Sequence, residues 1–165
     1  MKQLILVLSL LVTLIVAGCT ISDKALKKTT LDETKQAFES TPKKINENTE
    51  LFSYYLPEGF TIKKTDEFNV LLEKGKQSYI LFVNEREPST SKVSYETLAE
   101  QSTDPFMSQT FEDHNRFGYL FVNRLERNKF EVTVGLGGTK VTTESKANDV
   151  SADAKNMVDI VTSVQ

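Results

Sequence analysis

The chain has 165 residues, a length that fits one domain or one domain with an appendage. It carries 20 basic and 23 acidic residues, for a net charge of −3. This near balance argues against a dedicated nucleic-acid-binding protein, which needs a basic face to bind phosphates. A single cysteine and a single histidine exclude an intrachain disulfide and a two-histidine metal site within a monomer. Hydrophobic residues make up 39% of the chain, which is enough for a packed core.

The first element in chain order is a short apolar segment. Leu4–Ala17 spans 14 residues, is preceded by Lys2, and is interrupted only by Ser9 and Thr13. A membrane-spanning helix needs about 20 residues, whereas the apolar region of a signal peptide needs about 7–15. The length therefore favours a signal peptide over residues 1–18.

This segment ends in Val16-Ala17-Gly18-Cys19, which resembles the lipobox of bacterial lipoproteins. The resemblance implies that a signal peptidase recognises Val16, Ala17 and Gly18, cleaves before Cys19, and leaves a covalent diacylglycerol on the Cys19 sulfur. Two acyl chains are enough for stable anchoring, so we expect a protein held on the outer face of the cell membrane. The mature chain, with 19 basic and 23 acidic residues, has a net charge of −4, so we expect the lipid to hold it there. The alternative is an uncleaved anchor in which Cys19 has no role.

Residues 19–50 have the composition of a tether, with alternating lysines and carboxylates and Phe38 as the only aromatic residue. Within this segment, Thr30 and Glu33 have the spacing of a capping box. The pattern therefore predicts a short helix over 31–40, ending before Pro42. A helix docked on the domain and a disordered tether both fit this composition.

Residues 51–165 have the patterns of a single α+β domain. The segment Tyr79–Val83 is apolar at every position, which predicts a central strand covered on both faces. Ser94 can cap a helix that carries Tyr95 and Leu98 on one face, and apolar residues from Val150 to Val164 recur at helical spacing. Short connections favour antiparallel pairing. The remaining strands are predicted at 51–56, 60–63, 68–72, 117–122, 130–134 and 139–143.

The predicted fold is therefore an antiparallel twisted sheet of about six to eight strands with helices packed on one face. In outline this is similar to PsbP-like domains, over roughly residues 51–164. The similarity rests on element order and on the junction Pro57-Glu58-Gly59-Phe60. It implies no site residue, because no functional motif of that family matches.

The sequence contains no complete catalytic motif. His114 follows Asp113, but chain neighbours rarely present their side chains to each other as a catalytic triad needs. The glycines of Gly135–Lys140 lack the Gly-Lys-Ser/Thr order of a phosphate loop and instead indicate a hairpin. Carboxylates that could pair for glycoside hydrolysis are Glu85, Glu87, Glu112 and Glu126.

The adjacent Tyr54 and Tyr55 point to opposite faces of a strand, so one of them is a candidate contact surface. We predict no catalytic residue, no metal site, and no cofactor beyond the lipid on Cys19. The expected function is a non-enzymatic binding or accessory module of the cell envelope, with an envelope protein as partner. A carboxylate-dependent hydrolase of cell-wall polymer and a small-ligand carrier are the alternatives.

Overall fold

The computed structural model describes residues 21–113 and 115–165. The helices are α1 (Asp23–Glu39), α2 (Val93–Gln101) and α3 (Val150–Val161). The strands are β1 (Glu47–Asn48), β2 (Ser53–Tyr54), β3 (Phe60–Thr65), β4 (Asn69–Lys74), β5 (Gln77–Val83), β6 (Met107–Asp113), β7 (Arg116–Glu126), β8 (Lys129–Leu136) and β9 (Thr139–Lys146).

Seven of these strands form one antiparallel sheet in the order β3-β4-β5-β9-β8-β7-β6. Two meanders, β3–β5 and β6–β9, join where β5 pairs with β9. Gly75 supplies the positive φ of +64° that the tight β4–β5 turn requires. The α+β prediction with an antiparallel sheet of six to eight strands is confirmed.

Helices α1 and α3 cover one face of this sheet. The alternate strand residues on that face are fully buried, among them Leu81, Leu120 and Val134. Helix α3 packs Met157 and Val158 into the same core, which fits the predicted helical spacing. We call this the helical face of the sheet.

The short helix α2 packs on the opposite face, which the expectation of helices on one face did not include. Tyr95 of α2 lies 5.6 Å from the Phe117 ring, 5.7 Å from that of Tyr119 and 6.4 Å from that of Phe121. These β7 residues alternate with Leu120, which faces the core. Helix α2 therefore covers the β7 side of the second face.

Residues 23–39 belong to the folded domain, and the helix begins at Asp23 instead of Leu31. The Ser22 hydroxyl accepts the first-turn N–H of Ala25 at 3.3 Å and caps the helix. Leu26 and Phe38 are buried in the core, and Thr30 lies buried in the middle of the helix, not at its start. Charged residues on the outer face of α1 gave this segment the composition of a tether.

The ribbon of β1 and β2 also extends the domain into the expected tether. The segment predicted as a strand over 51–56 contributes only Ser53 and Tyr54, which pair with Asn48 and Glu47. Ser53 exchanges two backbone hydrogen bonds with Gln165, at 2.9 and 3.0 Å, so the ribbon is tied to the end of the chain. Within the described residues, no helix is long and apolar enough to span a bilayer.

Candidate functional site

Helix α2 leaves part of the second sheet face uncovered. It runs over β4, β5, β9 and β8 and bounds a shallow cavity of about 940 Å³. We call it the open face. It exists because α2 has only nine residues and covers the β7 side alone.

Aliphatic side chains line the middle of the open face. Ile80 is 50% exposed although it lies on β5, inside the sheet, and its register partner on β4 is the half-buried Leu71. The neighbouring Phe82 ring lies 5.6 Å from the Lys140 ammonium. The prediction that β5 is covered on both faces is therefore wrong, because Ile80 has no helix above it.

Hydroxyl groups continue the open face beyond Ile80. Thr142 is the register partner of Ile80 on β9, and its hydroxyl lies 3.0 Å from that of Thr133 on β8. The face thus changes from aliphatic to polar over three adjacent strands.

Two carboxylates face each other at the end of the open face. Glu131 on β8 and Glu144 on β9 are direct register partners that line the cavity, which puts their Cβ atoms about 5 Å apart. Glu144 is 58% exposed and forms an ion pair with Lys129. Glu131 accepts a hydrogen bond of 3.3 Å from the Asn123 amide. Both carboxylates are therefore held by polar partners.

The four carboxylates predicted from the sequence are not brought together. Glu87 accepts hydrogen bonds from Asn84 and Ser91, Glu112 pairs with Lys92, and Glu126 lines the cavity of the open face. Glu85 is exposed in the loop after β5. Glu126 therefore lies at the opposite end of the sheet from the other three, and Glu87 and Glu112 are each held by a local partner.

A buried polar network lies on the helical face, beneath one end of the open face. The Asp153 carboxylate of α3 accepts hydrogen bonds from the Tyr79 hydroxyl (2.7 Å), the Ser145 hydroxyl (2.5 Å) and the Gln77 amide (2.8 Å). Burial, the hydrogen bond to Asp153 and that residue's charge raise the pKa of Tyr79. All three donors come from the sheet, so the network locks α3 onto β5 and β9.

The glycines at the end of β8 and in the β8–β9 turn fit the structure of a hairpin. A Cβ on Gly135 would lie 2.1 Å from the Tyr119 ring, and Gly137 has a φ of +54°. A Cβ on Gly138 would lie 2.7 Å from the Asn84 carbonyl oxygen, which belongs to the loop that leads to α2. These residues therefore provide room for close packing and turn geometry, as the hairpin interpretation predicts.

A second cleft, of about 700 Å³, separates α1 from the edge strand β6. The stacked rings of Phe38 and Phe111, 4.8 Å apart, line it together with Lys35 and Arg116. A carrier for small apolar ligands needs an apolar pocket between sheet and helices. Half of the residues that line this cleft carry charged side chains.

The remaining sequence-predicted residues have the following places. Tyr54 is fully buried, and Tyr55 is half-buried, with its N–H bonded to the Ser163 hydroxyl at 2.8 Å. His114 lies outside the described residues, as do Cys19 and the preceding Val16, Ala17 and Gly18.

Among the described residues, no group of three histidine, cysteine or acidic side chains could hold a metal ion. Neither a protein-family model nor a curated protein sequence matches this chain. Sequence reasoning missed Ile80, Leu71, Glu131 and Glu144 as surface candidates. The sequence signal for them was their alternation along the strands, which assigns residues to one face or the other. Alternation does not say which face remains uncovered.

Proposed function

We propose that this protein is a lipid-anchored, non-enzymatic binding module of the cell envelope and that its open face binds a protein partner. The observation that carries the proposal is Ile80, an isoleucine 50% exposed on an internal strand beside Leu71. An apolar side chain at the centre of a concave surface, bordered by polar and charged groups, is typical of a protein-binding site.

The chemistry of the open face favours a protein over a sugar or a strongly charged ligand. Its aromatic side chain is Phe82, which is half-buried beneath Lys140, so the face offers no free ring for sugar stacking. Lysines and glutamates alternate around the cavity, Lys129 with Glu144 among them. The balance of charge suits a partner with apolar side chains and mixed charges.

The proposed anchor would hold the domain close to the membrane. Only residues 20–22 separate Cys19 from the first residue of α1, and three extended residues span about 10 Å. The open face would then be available to a neighbour on the same membrane surface. These three residues take the place of the tether predicted over residues 19–50.

The anchor is tested with Cys19→Ala in cells labelled with a radioactive fatty acid. The original protein is expected to carry the label, to remain with the membrane fraction and to begin at residue 19. Cys19→Ala is expected to lose the label and to keep residues 1–18. Label and processing that are the same in both proteins would refute the anchor.

The binding surface is tested by placing a photo-reactive phenylalanine at position 80 or position 62 of the full chain in living cells. Ile62 is the matched control, since it is also an exposed isoleucine, 39% accessible, but lies on the edge strand β3. The expected result is one discrete adduct from position 80 and none from position 62. The adduct is identified by mass spectrometry.

The identified partner is then purified and titrated against the original protein and two variants. Ile80→Glu is expected to weaken binding at least tenfold, and Ile62→Glu to leave it within twofold. Equal effects of the two substitutions, or equal adducts from the two positions, would overturn the proposed surface. Far-ultraviolet circular dichroism of both variants checks that they fold.

A hydrolase of cell-wall polymer is the second candidate, and the facing pair Glu131 and Glu144 is the observation that favours it. A retaining glycoside hydrolase needs two facing carboxyl groups about 5–5.5 Å apart. Side chains at directly opposite strand positions, with Cβ atoms about 5 Å apart, can reach that separation. Glu131→Gln is expected to abolish any turnover of purified cell-wall polymer, and Glu126→Gln to preserve it. Absence of turnover by the original protein would eliminate this candidate.

A further inference from the structure

One end of the domain lies next to the start of α1 and therefore next to the proposed lipid. The Asp23 carboxylate is 2.7 Å from the Arg124 guanidinium at the end of β7. The Arg124 guanidinium and the Lys27 ammonium both lie 4.6 Å from the Phe106 ring. The start of α1 is thus held against the β7–β8 turn.

Antiparallel pairing brings two further connections to the same end of the sheet. Gln77, after the β4–β5 turn, donates to Ser145 near the end of β9, and Ala147 donates its N–H to the Asn128 carbonyl of the β7–β8 turn. We call this the anchored end. It consists of residues 21–27, 74–76, 124–128 and 146–149, which are the start of α1 and the three connections with the strand ends beside them.

The anchored end is basic although the mature chain has a net charge of −4. Its acidic side chains are Asp23, Glu126 and Asp149, and Asp23 is paired with Arg124. Its basic side chains are Lys24, Lys27, Lys74, Lys76, Arg124, Arg127 and Lys146.

The opposite end of the sheet has the reverse balance. The β3–β4 turn carries Glu67 and Asp66, and Asp66 pairs with Lys64 at 2.8 Å. The loop after β5 carries Glu85 and Glu87 with Arg86 and Lys92, and Lys92 pairs with Glu112 at 3.1 Å. In the β6–β7 turn, Asp113 is neutralised by Arg116 at 2.8 Å. The net negative charge of the protein therefore lies away from the anchored end.

Exposed aliphatic side chains accompany the basic residues of the anchored end. Leu125, near the end of β7, is 44% exposed between Arg124 and Arg127, and Ile21 is 36% exposed three positions before Lys24. Apolar side chains flanked by cations are the pattern of surfaces that lie in the headgroup region of anionic bilayers.

We propose that the anchored end lies on an anionic bilayer surface, with Leu125 at the level of the headgroups and Lys24 and Arg127 beside lipid phosphates. The inference rests on the proposed lipid anchor, because the short chain from Cys19 to α1 turns this end toward the membrane. In this placement the strands stand upright on the bilayer, and the open face points along the membrane surface toward a membrane-attached partner.

A single tryptophan tests this placement, because the chain contains none. Leu125→Trp puts the reporter at the anchored end, and Phe68→Trp puts it at the opposite end in a site with almost the same exposure, 45%. The full lipidated protein is reconstituted into vesicles of phosphatidylglycerol and phosphatidylcholine that contain brominated lipid. We expect quenching at position 125 to exceed quenching at position 68 at least threefold.

Charge variants test the electrostatic part of the proposal. In the Leu125→Trp background, Arg127→Glu is expected to reduce quenching at least twofold, and the matched Arg86→Glu at the opposite end is expected to leave it unchanged. Vesicles of phosphatidylcholine alone are expected to give the weak quenching of the Arg127→Glu variant. A salt titration should reduce quenching in the anionic vesicles only.

Mass spectrometry of the reconstituted protein distinguishes failure of the lipid anchor from failure of the membrane placement. A chain without lipid on Cys19 refutes the anchor and this inference together. A lipidated chain in which positions 125 and 68 are quenched equally refutes the inference and leaves the anchor intact.

Discussion

Replacing Asp153 by alanine removes the acceptor at the centre of the buried network between α3 and the sheet. The side chain is 4% exposed and accepts hydrogen bonds from Tyr79, Ser145 and Gln77. Tyr79 and Ser145 are each 1% exposed, so water does not readily replace the lost acceptor. Gln77 keeps a second acceptor, the Thr143 hydroxyl at 3.1 Å.

The magnitude follows from the two buried donors that lose their charged partner. A buried donor left unsatisfied costs about 1–3 kcal/mol, and removing the carboxylate also removes its own desolvation cost. We therefore expect Asp153→Ala to lower the free energy of unfolding by about 3 kcal/mol. Tyr79→Phe removes one of the three donors and is expected to cost about 1 kcal/mol.

Urea unfolding at neutral pH, followed by circular dichroism, measures both effects. With a slope of about 1.5 kcal/mol per molar urea, Asp153→Ala should lower the midpoint by about 2 M. The matched control is Asp159→Ala on the same helix. Asp159 is also buried, at 9% exposure, but among the described residues its carboxylate has one ion-pair partner, the half-exposed Lys155 ammonium at 3.2 Å. That ammonium returns to water when the carboxylate is removed, so no buried donor is left unsatisfied and the expected cost is less than about 1 kcal/mol. Equal losses for Asp153→Ala and Asp159→Ala would refute the reasoning.

Leu26→Ala is expected to cost about 3 kcal/mol in the same unfolding assay, because Leu26 is 1% exposed in the core; a loss near zero would mean that α1 is not docked. Gly135→Ala should cost about 3 kcal/mol, because its Cβ would collide with the Tyr119 ring. Gly75→Ala should cost about 1 kcal/mol, because its φ of +64° is unfavourable for alanine although no atom lies in the way of a Cβ. Tyr54→Phe should be neutral or stabilising at pH 7, since no described residue accepts from the buried Tyr54 hydroxyl. Burial and the charge of Glu47 raise the pKa of Tyr54 to about 12; the stability from its neutral form is therefore complete below pH 10 and lost as pH rises through 12, and Tyr54→Phe should flatten that alkaline fall.

The fold class was predictable because strands and helices have different hydrophobic periods. The alternation from Phe130 to Val134 and the spacing from Val150 to Val161 each match an observed element. The boundaries of α1 were not predictable, because its outward-facing charges hide the buried positions of Leu26 and Phe38. The 3.6-residue period of apolar residues is hard to detect in a helix where only a narrow stripe is apolar.

The candidate binding surface was not predictable from the same patterns. Tyr79–Val83 is apolar at every position, which indicates that both faces are covered. The structure shows Leu81 buried and Ile80 half-exposed, because α2 is too short to reach β5. The local sequence of a strand does not determine whether a helix from a distant part of the chain packs on it.

Local residue order and periodicity are enough to recognise the lipobox-like segment that ends at Cys19, the lack of a complete catalytic motif in the sequence, and the α+β class. Tertiary structure alone decided which face of the sheet stays open and that Arg124 meets the start of α1. It also decided that the basic turns share one end of the domain. These features arise from antiparallel pairing between segments far apart in the chain, and no local pattern records such pairing.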